Sequence, residues 1–168
     1  MKTMLKFFTL TAVLFGFATI SYAQNTDNAT ASAGATIISA LKITKVKDLH
    51  FGTIAATSSS QTAIIAAEDG GDRTGGAAYV GSTYTIGEFL IEGENNQTVN
   101  FTVDASTELK SDTNKTMNIT FDRSIAGNSF SLDASGEKTM YVGGTLTVGA
   151  GQDSGEYTGT YKVTVNYN

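Results

Sequence analysis

His50 is the only histidine of the chain and lies in Leu49-His50-Phe51-Gly52, two residues after Asp48. On a strand, that spacing puts carboxylate and imidazole on one face, as a general base and its orienting acid would require. Such a base also needs a nucleophile within reach, and no Gly-x-Ser-x-Gly elbow occurs in the sequence. The expectation is therefore an outward-facing strand histidine, with Phe51 as a core aromatic and Gly52 as a bend or bulge. Glu68, Asp69 and Asp72 carry the oxygen ligands that calcium takes in loops, but without EF-hand spacing. A solvated acidic loop is expected there. Carboxylate pairs for glycoside hydrolysis are defined by spatial separation, and linear spacing supports none. Tyr79, Tyr84, Tyr141 and Tyr157 could line a sugar platform, which gives an alternative reading as a monomeric carbohydrate-binding module. Core or edge aromatics are the commoner use of such residues.

Composition narrows the chemistry further. The 168 residues include no Cys, Pro or Trp, which excludes disulfides, thiol catalysis, Cys-bound zinc and iron–sulfur clusters. A single histidine excludes sites that need two. No catalytic residue, cofactor or metal is expected. The formal charge is −5 with 16% charged residues, so no basic footprint for nucleic acid exists. Sequons begin at Asn28, Asn96, Asn100, Asn114 and Asn118, and Thr- and Asn-rich strand faces produce such triplets by chance. The Thr83/Thr85 and Thr145/Thr147 pairs are too few for an ordered threonine array.

The elements that must carry these residues alternate with a period of two. Val99, Phe101 and Val103 oppose Asn100, Thr102 and Asp104. Met117, Ile119 and Phe121 alternate with polar residues, as do Phe89 and Ile91, and Leu146 and Val148. The clearest case is Tyr161, Val163, Val165 and Tyr167 against Thr160, Lys162, Thr164 and Asn166. Each pattern means one buried and one wet face. Further strands are expected at Thr36–Val46, Leu49–Ile54, Thr62–Ala67, Ser129–Leu132 and Thr139–Val142. Turn-formers separate them at Asp69–Asp72, Gly75-Gly76, Gly93–Asn96, Ala134–Gly136 and Gly149–Gly151. No helical stripe and no fixed repeat occurs. The expected fold is an all-β antiparallel sandwich.

The two ends of the chain carry the functional signal. Lys2 and Lys6 precede an apolar run from Phe7 to Ile20, and Ser21-Tyr22-Ala23 offers a cleavage site before Gln24. Residues 1–23 are read as a secretory signal peptide, since about 20 apolar residues are needed to span a bilayer. The mature chain, with a formal charge of −7 and no spanning segment, is expected to be exported. Residues 24–34 are polar or small and are read as a flexible extension; 35–168 form the domain. Within that tail Ala29, Ala31, Ala33 and Ala35 alternate in phase with Ile37, so it is competent to become a strand when offered an edge. The last strand runs to the terminus with one lysine and no proline to blunt it. Together they point to strand addition between subunits.

The ending Gly155-Glu156-Tyr157-Thr158-Gly159-Thr160-Tyr161-Lys162-Val163-Thr164-Val165-Asn166-Tyr167-Asn168 resembles the terminal strand of chaperone–usher fimbrial subunits. Tyr167 is penultimate and Gly155 stands fourteen places from the end, as in that family. Leu49-His50-Phe51-Gly52 and Gly143-Gly144-Thr145-Leu146-Thr147-Val148 resemble an uncharacterised family of secreted bacterial proteins related to spore-coat-protein-U-like and fimbrial-type domains. The resemblance implies an immunoglobulin-like sandwich, export, a periplasmic chaperone as partner, and cell-surface assembly by donor-strand exchange. The chain departs from it in lacking a disulfide, in having His50 where Asp is common, and in its alanine-rich tail. A non-enzymatic structural or adhesive surface protein that self-associates is expected. Its interacting residues are Ala29, Ala31, Ala33, Ala35, Ile37, Gly155, Tyr161, Val163, Val165 and Tyr167.

Overall fold

The computed structural model describes residues 26–105 and 107–168; the expected signal peptide and the cleavage point before Gln24 lie outside the described residues. The chain divides into two units, Met1–Thr36 and Ile37–Asn168. In the first, residues 26–36 are exposed and form no regular secondary structure. Alanine is a weak strand former, and a lone alternating segment has no partner for its main-chain groups.

The second unit is all-β, with no helix among the described residues. Its strands are β1 (Lys42–Lys47), β2 (Thr53–Ile54), β3 (Gln61–Ile65), β4 (Arg73–Gly75), β5 (Tyr79–Val80) and β6 (Gly87–Glu92). They continue as β7 (Thr98–Ala105), β8 (Glu108–Lys110), β9 (Thr116–Arg123), β10 (Ser129–Ser131), β11 (Glu137–Val148) and β12 (Tyr161–Tyr167). All pairings are antiparallel. A seven-stranded sheet is organised by β11, a three-stranded sheet runs β10-β7-β12, and β2 pairs with β5. Val142 pairs with both Gly87 and Arg123, and Gly144 with both Ile65 and Phe121. So β6 and then β3 share one edge of β11, while β9 takes the other.

This sharing explains a difference from the sequence pattern, which separates Thr139–Val142 from Leu146 and Val148. The structure joins them in one 12-residue strand. A Cβ on Gly143 would overlap the carbonyl of Ile65, and one on Gly144 would lie 2.7 Å from that of Thr120. The glycine pair admits neighbours on both edges; it does not interrupt the strand. The expected strand from Thr36 begins only at Lys42. Upstream, the Ser39 N–H and hydroxyl both donate to the Glu94 carboxylate at 2.9 Å, in place of a ladder. The expected strand Leu49–Ile54 is reduced to β2 and an isolated His50–Thr85 bridge, because Gly52 sits at φ +83° between them.

Two apolar clusters fill the unit. In the first, Phe89, Ile91, Met140 and Val142 of the large sheet meet Val99, Phe101 and Val163 of the small one. In the second, Ala63, Ile65, Ile119, Leu146 and Val148 pack with Phe51 and Ile86. Each Val, Leu, Ile, Phe or Met side chain among them contributes about 1.5–3 kcal/mol on burial. The small sheet covers the first cluster, and Ile54 of β2 and Tyr79 of β5, from the two-stranded sheet, pack against the second.

Candidate functional site

The site is built on β12. Tyr161, Val163, Val165 and Tyr167 all pack against the first apolar cluster, as their alternation requires. The Tyr161 ring stands 5.8 Å from Phe89, edge-on, and 5.0 Å from Phe121. Its hydroxyl lies over Gly87, where a Cβ would overlap it, and is buried beside the Leu49 main chain without a well-formed hydrogen bond among the described residues. Burial pushes the Tyr161 phenol up from its ordinary range, partly offset by the main chain of Leu49. At the other end, the Tyr167 hydroxyl accepts from the Glu94 N–H at 2.7 Å and donates to the Ser39 carbonyl at 2.8 Å. The Ser39 donors hold the Glu94 carboxyl below its usual value. Ser39, Glu94 and Tyr167 thus form a hydrogen-bonded latch.

One edge of β12 is paired and one is open. Tyr161 to Tyr167 pair with Ala105 to Val99 of β7, and the Asn168 N–H donates to the Thr98 carbonyl at 3.1 Å. In an antiparallel ladder bonded pairs alternate. The even-numbered residues therefore turn their main-chain groups to β7, and Tyr161, Val163, Val165 and Tyr167 turn theirs to the opposite edge. Among the described residues no strand pairs there. β1 lies beside β12, but it is protected differently. Its lysines reach Glu92 at 2.9 Å (Lys42), Asp48 at 2.8 Å (Lys45) and Glu88 at 2.6 Å (Lys47), and charged side chains discourage edge pairing.

Beyond Tyr161 the two flanks separate around a cavity of about 680 Å³. Its walls are Asp48–Ala56 on one side and Gln152–Gly159, including Gly155, on the other. Its floor is Leu109, Met117, Ile119, Phe121, Leu146 and Val148. The cavity thus lies at the Tyr161 end of β12 and the latch at the Tyr167 end. Both walls are anchored. Gln152 Nε2 donates to the Tyr157 hydroxyl at 2.8 Å, Asp153 pairs with Lys115 at 3.0 Å, and Lys110 and Thr158 exchange main-chain bonds. Opposite, the buried Gln61 donates to the Ala55 carbonyl at 3.0 Å. Arg73 donates to the Phe51 and Gly81 carbonyls beneath Tyr79 and Tyr84, 4.1 and 5.0 Å from their ring centres.

The other candidate residues are placed as follows. His50 is exposed at the cavity wall, and its Nδ1 accepts from the Gly52 N–H at 2.9 Å. Asp48 is taken by Lys45. Among the described residues no group of three or more His, Asp or Glu gathers as a metal site. Tyr79 and Tyr84 are drawn together by Arg73, Tyr141 lies beside Asp69, and Tyr157 donates to the Asp153 carbonyl. Ala29, Ala31, Ala33 and Ala35 are exposed, and Ile37 is 95% exposed. Sequence reasoning placed Met117, Ile119, Phe121, Leu146 and Val148 on apolar strand faces but missed Leu109, which lies outside any alternating run. It also missed Ser39 and Glu94, whose only signal was the penultimate tyrosine that they bind.

An antiparallel all-β domain whose terminal strand is left open beside an apolar gap defines the class. The chain belongs to the family described as Domain of unknown function (DUF4402), whose profile matches residues 41–167. That family is linked to spore-coat-protein-U-like and fimbrial subunit proteins. Neither a curated protein nor a solved structure matches the chain. No helix among the described residues is long and apolar enough to cross a membrane.

Proposed function

We propose that the protein is an exported, non-enzymatic subunit of the cell surface, structural or adhesive, with an immunoglobulin-like sandwich fold. Copies join by strand addition: the Ala29–Ile37 segment of one copy pairs with the open β12 edge of the next. The observation that carries this reading is the unpaired β12 edge beside an apolar gap. Main-chain bonds along such an edge supply affinity, and alternate side chains entering the gap supply specificity. The exposed, unstructured state of residues 26–36 supports a donor role, and the family link to fimbrial subunits supports the same assignment. Before assembly, a periplasmic chaperone or another surface subunit would occupy the gap.

The test compares the mature chain with a version lacking residues 24–34, by light scattering over a concentration series. The expected outcome is higher assemblies for the first and monomer for the second. An identical mass distribution for both would overturn the reading.

A further inference from the structure

We infer that Asn114, in the turn between β8 and β9, is an acceptor for an N-linked oligosaccharide. The inference rests on the export part of the reading above, since lipid-linked sugar donors are used on the exported side of the membrane. Strand addition plays no part in it. Five sequons occur in the sequence, and the structure separates them. Asn100 and Asn118 lie within β7 and β9, where alternation alone puts polar residues on one face, and the Asn100 amide donates to Asn168 Oδ1 at 3.1 Å. Asn96 and Asn114 stand in turns instead, at φ +57° and +58°, the two left-handed non-glycine residues among those described. Each also has a carboxylate two places earlier and a threonine two places later: Glu94 and Thr98, Asp112 and Thr116. In this longer, acidic form of the sequon the carboxylate offers a charge for a cation of the transferring enzyme to pair with. Asn28, in the tail, has Thr26 at that place.

Only at Asn114 are all three groups available. At Asn96 the Glu94 carboxylate is held by both Ser39 donors at 2.9 Å, and Thr98 is half-buried at the start of β7. The β8–β9 turn is closed without its sequon side chains. Ser111 N–H donates to the Lys115 carbonyl and Asn114 N–H to the Ser111 carbonyl, both at 2.9 Å, and Lys115 N–H donates to Ser111 Oγ at 3.1 Å. Asp112, Asn114 and Thr116 are exposed, and their side chains make no hydrogen bond among the described residues. Turn geometry accounts for an asparagine at 114 but makes no use of the Asp112 carboxylate or the Thr116 hydroxyl. In the transfer, Asn114 Nδ2 bonds to the anomeric carbon of the first sugar. The bond from that carbon to the donor's phosphate oxygen breaks, its electron pair leaves with the polyprenyl pyrophosphate, and one amide proton passes to a base of the transferase.

The test incubates the folded mature chain, residues 24–168, with a purified bacterial oligosaccharyltransferase and a polyprenyl-pyrophosphate oligosaccharide. Intact mass and peptide mapping provide the readout. One oligosaccharide should be added, at Asn114. Asn114→Gln and Thr116→Ala should each abolish the addition, the second with the left-handed turn residue still in place. Asp112→Asn should slow it by about ten-fold or more, and Asn96→Gln should leave it unchanged. A chain that stays unmodified would overturn the inference, as would preferential addition at Asn28, Asn96, Asn100 or Asn118. In cells that make the full chain with the same enzyme and donor facing the periplasm, an unmodified product retaining residues 1–23 would overturn the export reading instead. The assignment of Asn114 as acceptor would then stand on the purified reaction.

Discussion

Tyr161 shows how one residue can serve packing and still carry a cost. Its ring bridges Phe89 and Phe121, but its hydroxyl is buried beside the Leu49 main chain without a well-formed hydrogen bond. An unsatisfied buried group of this kind costs about 1–3 kcal/mol. Tyr161→Phe keeps the ring and should raise the unfolding free energy, by up to about 1 kcal/mol after small losses in contact; a lower melting temperature would contradict this. The same burial raises the phenol pKa. Its contribution to stability is intact below the unfolded value, about 10, and is lost as pH rises through the folded value. Alkaline melts should therefore show a steeper loss for the native chain than for Tyr161→Phe. Little of this was legible in the sequence. Alternation places Tyr161 inward, but it cannot reveal that Gly87 comes to lie beneath the hydroxyl.

At the scale of elements, period-two alternation located β6, β7, β9 and β12, because each has one face in an apolar cluster and one in water. It failed where burial follows another rule. β4, β5 and β8 are only two or three residues long, too short to show a period. The alternation separates Thr139–Val142 from Leu146 and Val148, whereas β11 runs unbroken through Gly143-Gly144, where β3 and β9 pair on its two edges. Gly143→Ala should cost about 1–3 kcal/mol, since the new methyl meets the fixed Ile65 carbonyl rather than a movable side chain. Chemical denaturation would measure this. A change below about 0.5 kcal/mol, the range of surface substitutions, would show that β3 and β11 can separate without loss.

For the whole molecule, the candidate site was partly legible. The terminal strand and the alternating tail stand out because each is a local pattern. The cavity does not, since its floor is drawn from β8, β9 and β11 and its walls from two segments distant in sequence. Charge is a property of this scale as well. Copies with a formal charge of −5, or −7 once residues 1–23 are removed, repel one another over a screening length of about 8–10 Å at 0.1–0.15 M salt. Raising ionic strength should therefore speed assembly, as followed by light scattering. Slower assembly in salt would mean that specific ion pairs across the junction outweigh the general repulsion.

Under the proposed strand addition, the unpaired edge of β12 has a consequence for growth. Donor segment and acceptor edge are different parts of one copy, so a chain of copies joined in the proposed way would have polarity: one terminus would bear a free arm and the other an unpaired edge. Head-to-tail contacts of this type need not close on themselves. A copy without its arm can still be entered but can enter nothing, so it acts as a terminator at one end alone.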